Sequence, residues 1–269
     1  MKTILVTGAT DGIGRAAAAR LGRAGTRILV HGRTMAKAEA AAKALANETG
    51  GVFAPVAGDF ARLDEVRALA ADVVQQAPRL DALVNNAGIF TRERLTSDDG
   101  FELTLAVNHL APFALTHLLL PSLLAAGAAR VVNVSSMVHM RASIDWDDLD
   151  RTRDFDGYAA YGGSKLMNVL FTYELARRLD GRGVTVNAMH PGVIGTKLLR
   201  QGFGSMGGDD ADAGGEAEAK LAADPALEGV TGRYYDQTEE SRSSRDSHDG
   251  TLQQRCYEMS LARTGVAPA

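Results

Sequence analysis

Tyr161 and Lys165 stand four residues apart in the segment Tyr161-Gly162-Gly163-Ser164-Lys165, a spacing that puts both side chains on one face of a helix. A tyrosine hydroxyl has a pKa of about 10, so exchanging a proton near neutral pH calls for roughly 3 units of stabilisation of its anion, or ~4 kcal/mol. A lysine ammonium at ~4 Å, in surroundings of effective dielectric near 20, supplies about that much. The pair therefore suits a tyrosine acid/base activated by a lysine. Tyrosine and lysine at this spacing also occur on ordinary solvent-facing helices, so the pair alone does not fix a function.

A second chemical feature lies at the amino terminus. Thr7 to Gly14 reads T-G-A-T-D-G-I-G directly after the apolar run Ile4-Leu5-Val6. It puts Gly8, Gly12 and Gly14 at a strand-to-helix junction, where unpaired backbone N–H groups and the positive helix end face an anion. The spacing is G-x3-G-x-G and not the commoner G-x-G-x-x-G. A dinucleotide pyrophosphate cradle and a plain strand–helix turn both remain open on this stretch alone.

Further along, Asn85-Asn86-Ala87-Gly88 closes one strand-like run, and Val131-Val132-Asn133-Val134-Ser135-Ser136 ends another in two serines. Asn108 lies in a helical stretch, and Pro191-Gly192 follows a further strand. With the glycine turn and the Tyr–Lys pair, in this order and from Thr3 to about Tyr235, the chain resembles the short-chain dehydrogenase/reductase family. The resemblance implies a set of roles. Gly8, Gly12 and Gly14, with Asp11 and Ile13 between them, form the cofactor turn. Asp59, with Phe60 beside it, contacts the adenine ring, and Asn86, Ala87 and Gly88 run beneath the adenosine half. Asn108 helps to hold a proton-relay water, and Ser136, in preference to Ser135, holds the substrate oxygen. Tyr161 is the acid/base, and Lys165 binds the nicotinamide ribose and lowers the tyrosine pKa. Pro191, Gly192 and Val193 seat the nicotinamide, with the Thr196 hydroxyl near its amide and phosphates. The implied reaction passes a hydride between the cofactor and a carbonyl or alcohol carbon while Tyr161 moves the proton.

The end of the second strand bears on cofactor choice. An NAD-preferring site usually has a carboxylate there for the ribose 2′-OH. This chain has Gly32 followed by Arg33, whose guanidinium suits a 2′-phosphate, so NADP(H) is expected over NAD(H). Asp11 runs against this, because many NADP-preferring members carry a basic residue there. Twenty-four residues separate Ser136 from Tyr161, a longer gap than is usual in the family. With Val107-Asn108-His109-Leu110 and Arg33, this insertion makes the chain resemble the retinol-dehydrogenase-like branch and implies a lipophilic ketone or aldehyde as substrate.

The elements that must position these groups alternate. Strands are expected at Ile4–Thr7, Arg27–His31, Val52–Val56, from Ala82, at Arg130–Val134 and Val184–Met189, with a last short one near Gly232–Tyr235. Helices are expected at Ile13–Ala24, Met35–Asn47, Asp64–Gln76, Phe101–Ala126 and Tyr161–Leu179. Strands rich in Val, Ile and Leu between helices imply an α/β, Rossmann-type doubly wound parallel sheet in three layers, as one domain over residues 1–269. Two segments break the rhythm and are expected as loops over a substrate: residues 138–160, with Trp146 and a cluster of aspartates, and the Gly- and Asp-rich residues 197–224. The Ser-, Arg- and Asp-rich residues 239–248 read as solvated. Apolar residues on more than one face of the Tyr161–Leu179 helix suggest packing on a second subunit, as a homodimer or homotetramer, or burial under the chain's own carboxyl-terminal loops.

Composition narrows the partners. The formal net charge is -4 with no basic patch, which argues against nucleic acid. One cysteine, Cys256, excludes an intrachain disulfide framework and fits a reducing compartment. Met1-Lys2 leads straight into a strand-like run, and no apolar run is expected to span a membrane, so a cytoplasmic protein acting on a small molecule is expected. The six histidines show no metal-ligand spacing, and His190 reads as a neutral packed residue. Two other classes stay in view. One is a catalytically silent NADP(H) sensor or scaffold, which would have no use for an acid/base set. The other is an epimerase or dehydratase, which would need a larger carboxyl-terminal domain.

Overall fold

In the computed structural model, which describes residues 1–195 and 210–269, eight strands form one sheet in the order β3-β2-β1-β4-β5-β6-β7-β8. They are β1 (Thr3–Val6), β2 (Arg27–Gly32), β3 (Val52–Ala57), β4 (Ala82–Asn85), β5 (Ala129–Val134), β6 (Val184–His190), β7 (Tyr234–Asp236) and β8 (Glu239–Ser241). Every pairing is parallel except that of β7 with β8. The Val-, Ile- and Leu-rich β1, β4 and β5 are buried along their whole length, as a sheet covered on both faces requires. The expected doubly wound α/β fold is the one found.

The chain order reverses its direction across the sheet at β1 and β4, so the carboxyl ends of those strands flank a crevice suited to a ligand. The helices are α1 (Gly12–Arg23), α2 (Met35–Thr49), α3 (Leu63–Gln76), α4 (Leu103–Ala126), α5 (Gly157–Arg178), α6 (Ala211–Ala223) and α7 (Gly250–Thr264). A π turn at Ala106–Leu110 interrupts α4. α4 is long and apolar enough to cross a membrane, contrary to the expectation that no segment is. Its apolar window is 89% buried, as in a core helix.

Four expectations are corrected. The helix carrying Tyr161 starts earlier, at Gly157, where Asp156 caps it by accepting from the N–H groups of Tyr158 and Ala159. Of the expected loop 197–224, residues 211–223 form α6, which docks on α1 through glycines. A Cβ at Gly215 would lie 2.6 Å from Ala16 Cβ and 2.7 Å from Ala17 N. Residues 197–209 lie outside the described residues. In the 138–160 segment, Ile144, Trp146 and Leu149 pack with Leu252, Cys256 and Met259 of α7, and Arg255 covers the Trp146 ring. That part of the insertion is a brace on α7.

The fourth correction concerns the carboxyl-terminal segment. Residues 239–248 are exposed, as expected, except that Ser243, Ser244 and Ser247 are buried, and the segment leads into α7. The buried positions of α7 (Gln253, Cys256, Tyr257, Ser260 and Thr264) recur at helical spacing. His109 of α4 bonds Ser260, and His117 bonds the Tyr257 hydroxyl. α7 thus covers the outer side of α4 and α5, so that face gives no ground for a homodimer or homotetramer.

Candidate active site

The glycine turn is held from below by β4. The Thr7 hydroxyl donates to Val84 O (3.1 Å) and accepts from the N–H groups of Asn86 (2.9 Å) and Ala87 (3.0 Å). Asn86 Nδ2 donates to Thr7 O at 2.7 Å. Gly8 and Gly12 have φ of +67° and +55°, which non-glycine residues rarely adopt. A Cβ at Gly14 would lie 2.3 Å from Asn86 Nδ2, so the backbone there must stay bare. Asp11 caps α1 by accepting from Gly12 N, and the other first-turn N–H groups have no intrahelical partner. This bare cradle at a helix amino terminus fits a dinucleotide pyrophosphate.

His31 was not singled out by the sequence. Its Nδ1 accepts from Gly8 N (3.1 Å), which fixes the proton on Nε2, facing Gly58 O at 2.9 Å. Burial lowers its pKa to about 4, so it is a neutral strut between the glycine turn and the end of β3. Phe60 stacks on it at 4.7 Å and belongs to the core; its ring is committed to packing. Asp59 Oδ1 accepts from Ala61 N at 3.0 Å. At the end of β2, a Cβ at Gly32 would lie 2.8 Å from Thr10 Cγ2 and 3.1 Å from Ala38 N. A side chain there would crowd Thr10 and the α2 backbone, and the chain carries no carboxylate at that position. Arg33 beside it is exposed.

The remaining residues converge from β4, α4, β5 and α5. Ser135 and Ser136 diverge: Ser135 is buried and donates to Lys165 O at 2.8 Å, whereas the Ser136 hydroxyl is hydrogen-bonded to Tyr161. Lys165 Nζ donates to Val134 O at 3.0 Å and lies 5.6 Å from the Tyr161 ring centroid. A Cβ at Gly88 would sit 3.3 Å from Asn108 Oδ1 and 3.4 Å from Lys165 Nζ, so Gly88 marks where the two meet. Asn108 is fully used. Its Oδ1 accepts from Ile89 N (2.8 Å), and its Nδ2 donates to Ile89 O (3.0 Å) and Ser164 Oγ (3.1 Å). The π turn around Asn108 is the kind of helix irregularity often found at functional sites. Its carbonyl accepts from Asn168 Nδ2 at 3.0 Å.

The electrostatics differ from the simple Tyr–Lys estimate. Burial pushes Tyr161 up to about 12, with the Ser136 hydrogen bond opposing, and lowers Lys165 to about 8. Desolvation outweighs the Ser136 hydrogen bond, so Tyr161 is protonated at neutral pH. Glu218 of α6 was also missed by the sequence reading. It is fully buried, neither carboxyl oxygen has a hydrogen-bond partner among the described residues, and burial pushes it up to about 8 against the attraction of Lys165. The signal was one acidic residue on the Gly214-Gly215-Glu218 face that docks on α1.

Beyond β6, Gly192 has a φ of +95°, and a Cβ there would touch the Gln237 side chain at 3.4 Å. Pro191 is buried and Val193 half-buried; Thr196 lies outside the described residues. His190 is buried with Nδ1 unpartnered, and burial lowers its pKa, as expected of a packed neutral residue. The rim is apolar. Phe90 packs edge-on against both Tyr158 (5.2 Å) and Tyr161 (5.9 Å), and Met137, Met140 and Tyr158 are exposed large hydrophobic residues next to the catalytic candidates in sequence. Among the described residues no group of His, Cys, Asp and Glu is arranged to hold a metal ion.

The chain is similar to known proteins. Residues 2–204 match the family model described as short chain dehydrogenase. The chain is 39% identical to human retinol dehydrogenase 13, with 98% of this chain and 85% of the relative aligned. It is 38% identical to mouse polyprenol dehydrogenase, over 98% and 84%. Among solved structures, an uncharacterized protein from Mycobacterium paratuberculosis superposes with a TM-score of 0.84 at 31% identity, covering 100% of this chain and 96% of that one. A Beutenbergia cavernae protein described as an NAD(P)-dependent gluconate 5-dehydrogenase, with NADP bound at low occupancy, gives 0.69 at 31% identity, covering 87% and 94%. The chain belongs to the short-chain dehydrogenase/reductase family of hydride-transferring oxidoreductases, in its retinol-dehydrogenase-like branch.

Proposed function

We propose that the protein is an NADP(H)-dependent reductase or dehydrogenase of lipophilic carbonyl compounds or alcohols, with Tyr161 as its acid/base. The observation that carries this reading is the meeting of Ser136, Tyr161, Lys165 and Asn108 beside a glycine turn too tight for any side chain. Bound nicotinamide supplies the hydride chemistry. In reduction, the Ser136 hydroxyl holds the substrate oxygen and Tyr161 gives it a proton; in oxidation, Tyr161 takes that proton back. A tyrosine kept protonated by burial starts as the donor that reduction needs. Gly8, Gly12 and Gly14 leave room for the pyrophosphate, and Pro191, Gly192 and Val193 border the nicotinamide. In this reading Lys165 would hold the ribose hydroxyls.

The preference for NADP(H) rests on Arg33, an exposed guanidinium beside Gly32, which supplies no carboxylate for a ribose 2′-OH. The preference for apolar substrates rests on Phe90, Met137, Met140 and Tyr158 at the rim, and on the names of the retinol and polyprenol dehydrogenases it resembles. We place the protein in the cytoplasm on its single buried thiol. The test is NADPH consumption, followed by absorbance, with ketones and aldehydes of graded chain length. Turnover should rise with apolar length; NADPH binding with no turnover on any member of the panel would favour a cofactor sensor.

A further inference from the structure

We infer that His139 is a positioning residue for Ser136, latching the serine turn to the carboxyl-terminal segment 239–248. This goes one step beyond the role proposed for Ser136 and rests on it. His139 is fully buried. Its Nδ1 lies 2.6 Å from Ser136 O, and its Nε2 accepts the backbone N–H of Ser244 at 3.2 Å. An amide N–H can only donate, so Nε2 is bare and the single ring proton sits on Nδ1, donating to Ser136 O. The imidazole thus spans two chain segments more than a hundred residues apart, and its ring packs on Tyr234 of β7 at 4.8 Å. The main-chain N–H of His139 adds a second bond to Ser136 O at 3.1 Å.

The far end of the latch is anchored in turn. Ser247 Oγ donates to Ser244 O at 2.6 Å. Ser243 Oγ bonds Ser247 Oγ (2.7 Å), the Tyr173 hydroxyl (2.6 Å) and His248 Nε2 (3.1 Å). Tyr173 lies on α5, the helix that carries Tyr161 and Lys165, and His248 stacks on its ring. The serine turn and the tyrosine helix are therefore tied through one segment whose Ser243, Ser244 and Ser247 are buried. Ser243 and Ser247 are buried with their hydroxyls satisfied by these bonds; the Ser244 hydroxyl, which has no partner among the described residues, takes no part.

The latch is sensitive to acid. A second ring proton would put Nε2–H against the Ser244 N–H, two donors facing each other. Burial holds the His139 pKa below its ordinary value, so the neutral form persists at pH 7. The titratable groups near it are His190 and Tyr234. His190 of β6 is neutral by burial and feels His139 and Lys165 as opposing charges, with Asp236 of β7 as the favourable one. Tyr234 stays protonated.

Three variants test this, with kcat, NADPH affinity by fluorescence titration, and hydrogen exchange of residues 241–248 as readouts. His139→Phe keeps a ring but loses both bonds. It should lower kcat about 10–100-fold, as misplacement of a catalytic group does, with NADPH affinity within about twofold because the glycine turn is untouched. Exchange in 241–248 should quicken about tenfold or more. His139→Asn keeps a donor near the Nδ1 position and should recover most of kcat while the segment stays released. Ser244→Ala keeps the N–H and should match the parent in every readout. In the parent, kcat and segment protection should fall together as pH drops below the ordinary imidazole range; neither His139 variant should show that joint step. Parent-like kcat and exchange in His139→Asn and His139→Phe would overturn the latch. So would equal losses of kcat and cofactor affinity, and His139→Asn alone decides if the phenylalanine variant does not fold. Ser136→Ala separates the two readings: full activity there would remove the serine's role, while exchange would still report the latch.

Discussion

Lys165 of α5 and Glu218 of α6 approach the cofactor crevice from opposite faces of the sheet, both fully buried or nearly so, and each is the charge that opposes the other's desolvation. Glu218 makes no hydrogen bond with either oxygen among the described residues. A buried, unpaired carboxylate is costly, so the group holds its proton instead.

This gives a stability signature in the cofactor-free protein. Glu218 titrates at about 8 folded, against 4.5 unfolded, so between those values the folded state binds the extra proton and stability falls as pH rises. Lys165 titrates at about 8 folded, against 10.5; there the unfolded state binds the extra proton and stability recovers as pH rises. The two contributions together put a minimum near pH 8. Glu218→Gln should unfold at higher denaturant concentration than the parent at pH 8, with the advantage shrinking towards pH 4.5. Urea titrations at several pH values measure it; a parallel pH dependence in parent and variant would show Glu218 ionised and paired.

Arg33→Ala should weaken NADPH far more than NADH. Charge-assisted bonds to a 2′-phosphate are worth about 1.5–3 kcal/mol, or roughly 10–100-fold in KM for NADPH, while NADH stays within about twofold. Steady-state kinetics with both cofactors decide it, and equal effects would refute the assignment.

Gly215→Ala tests the docking of α6. The added Cβ meets Ala16 Cβ at 2.6 Å and Ala17 N at 2.7 Å, and Ala17 N is backbone that cannot turn aside. Overpacking should cost about 1–3 kcal/mol and shift α1, weakening cofactor binding as well. Thermal unfolding and NADPH titration check both effects.

The sheet was legible because its strands are apolar on both faces and its helices end at glycines such as Gly25 and Gly50, both at positive φ. The Tyr161–Lys165 pair and Asn86 were legible because their chemistry is tied to local spacing. The carboxyl-terminal part was not. Within the polar residues 239–248, Ser243, Ser244 and Ser247 are buried through hydrogen bonds that involve Tyr173 and His139, which no hydropathy pattern shows. α7 has helical spacing, but its buried positions Gln253, Ser260 and Thr264 are polar. α6 docks through Gly214 and Gly215, where the absence of side chains is the contact. The raised pKa of Tyr161 was missed because its burial is a tertiary fact.

The central claim is that Tyr161 moves the proton while the rest of the site binds cofactor without it. The most direct measurement is Tyr161→Phe, assayed for NADPH affinity by fluorescence titration and for kcat on a ketone or aldehyde that the parent reduces. Loss of the acid should lower kcat about 100–10,000-fold with NADPH affinity within about threefold. A phenylalanine variant that keeps the parent's kcat would contradict the account.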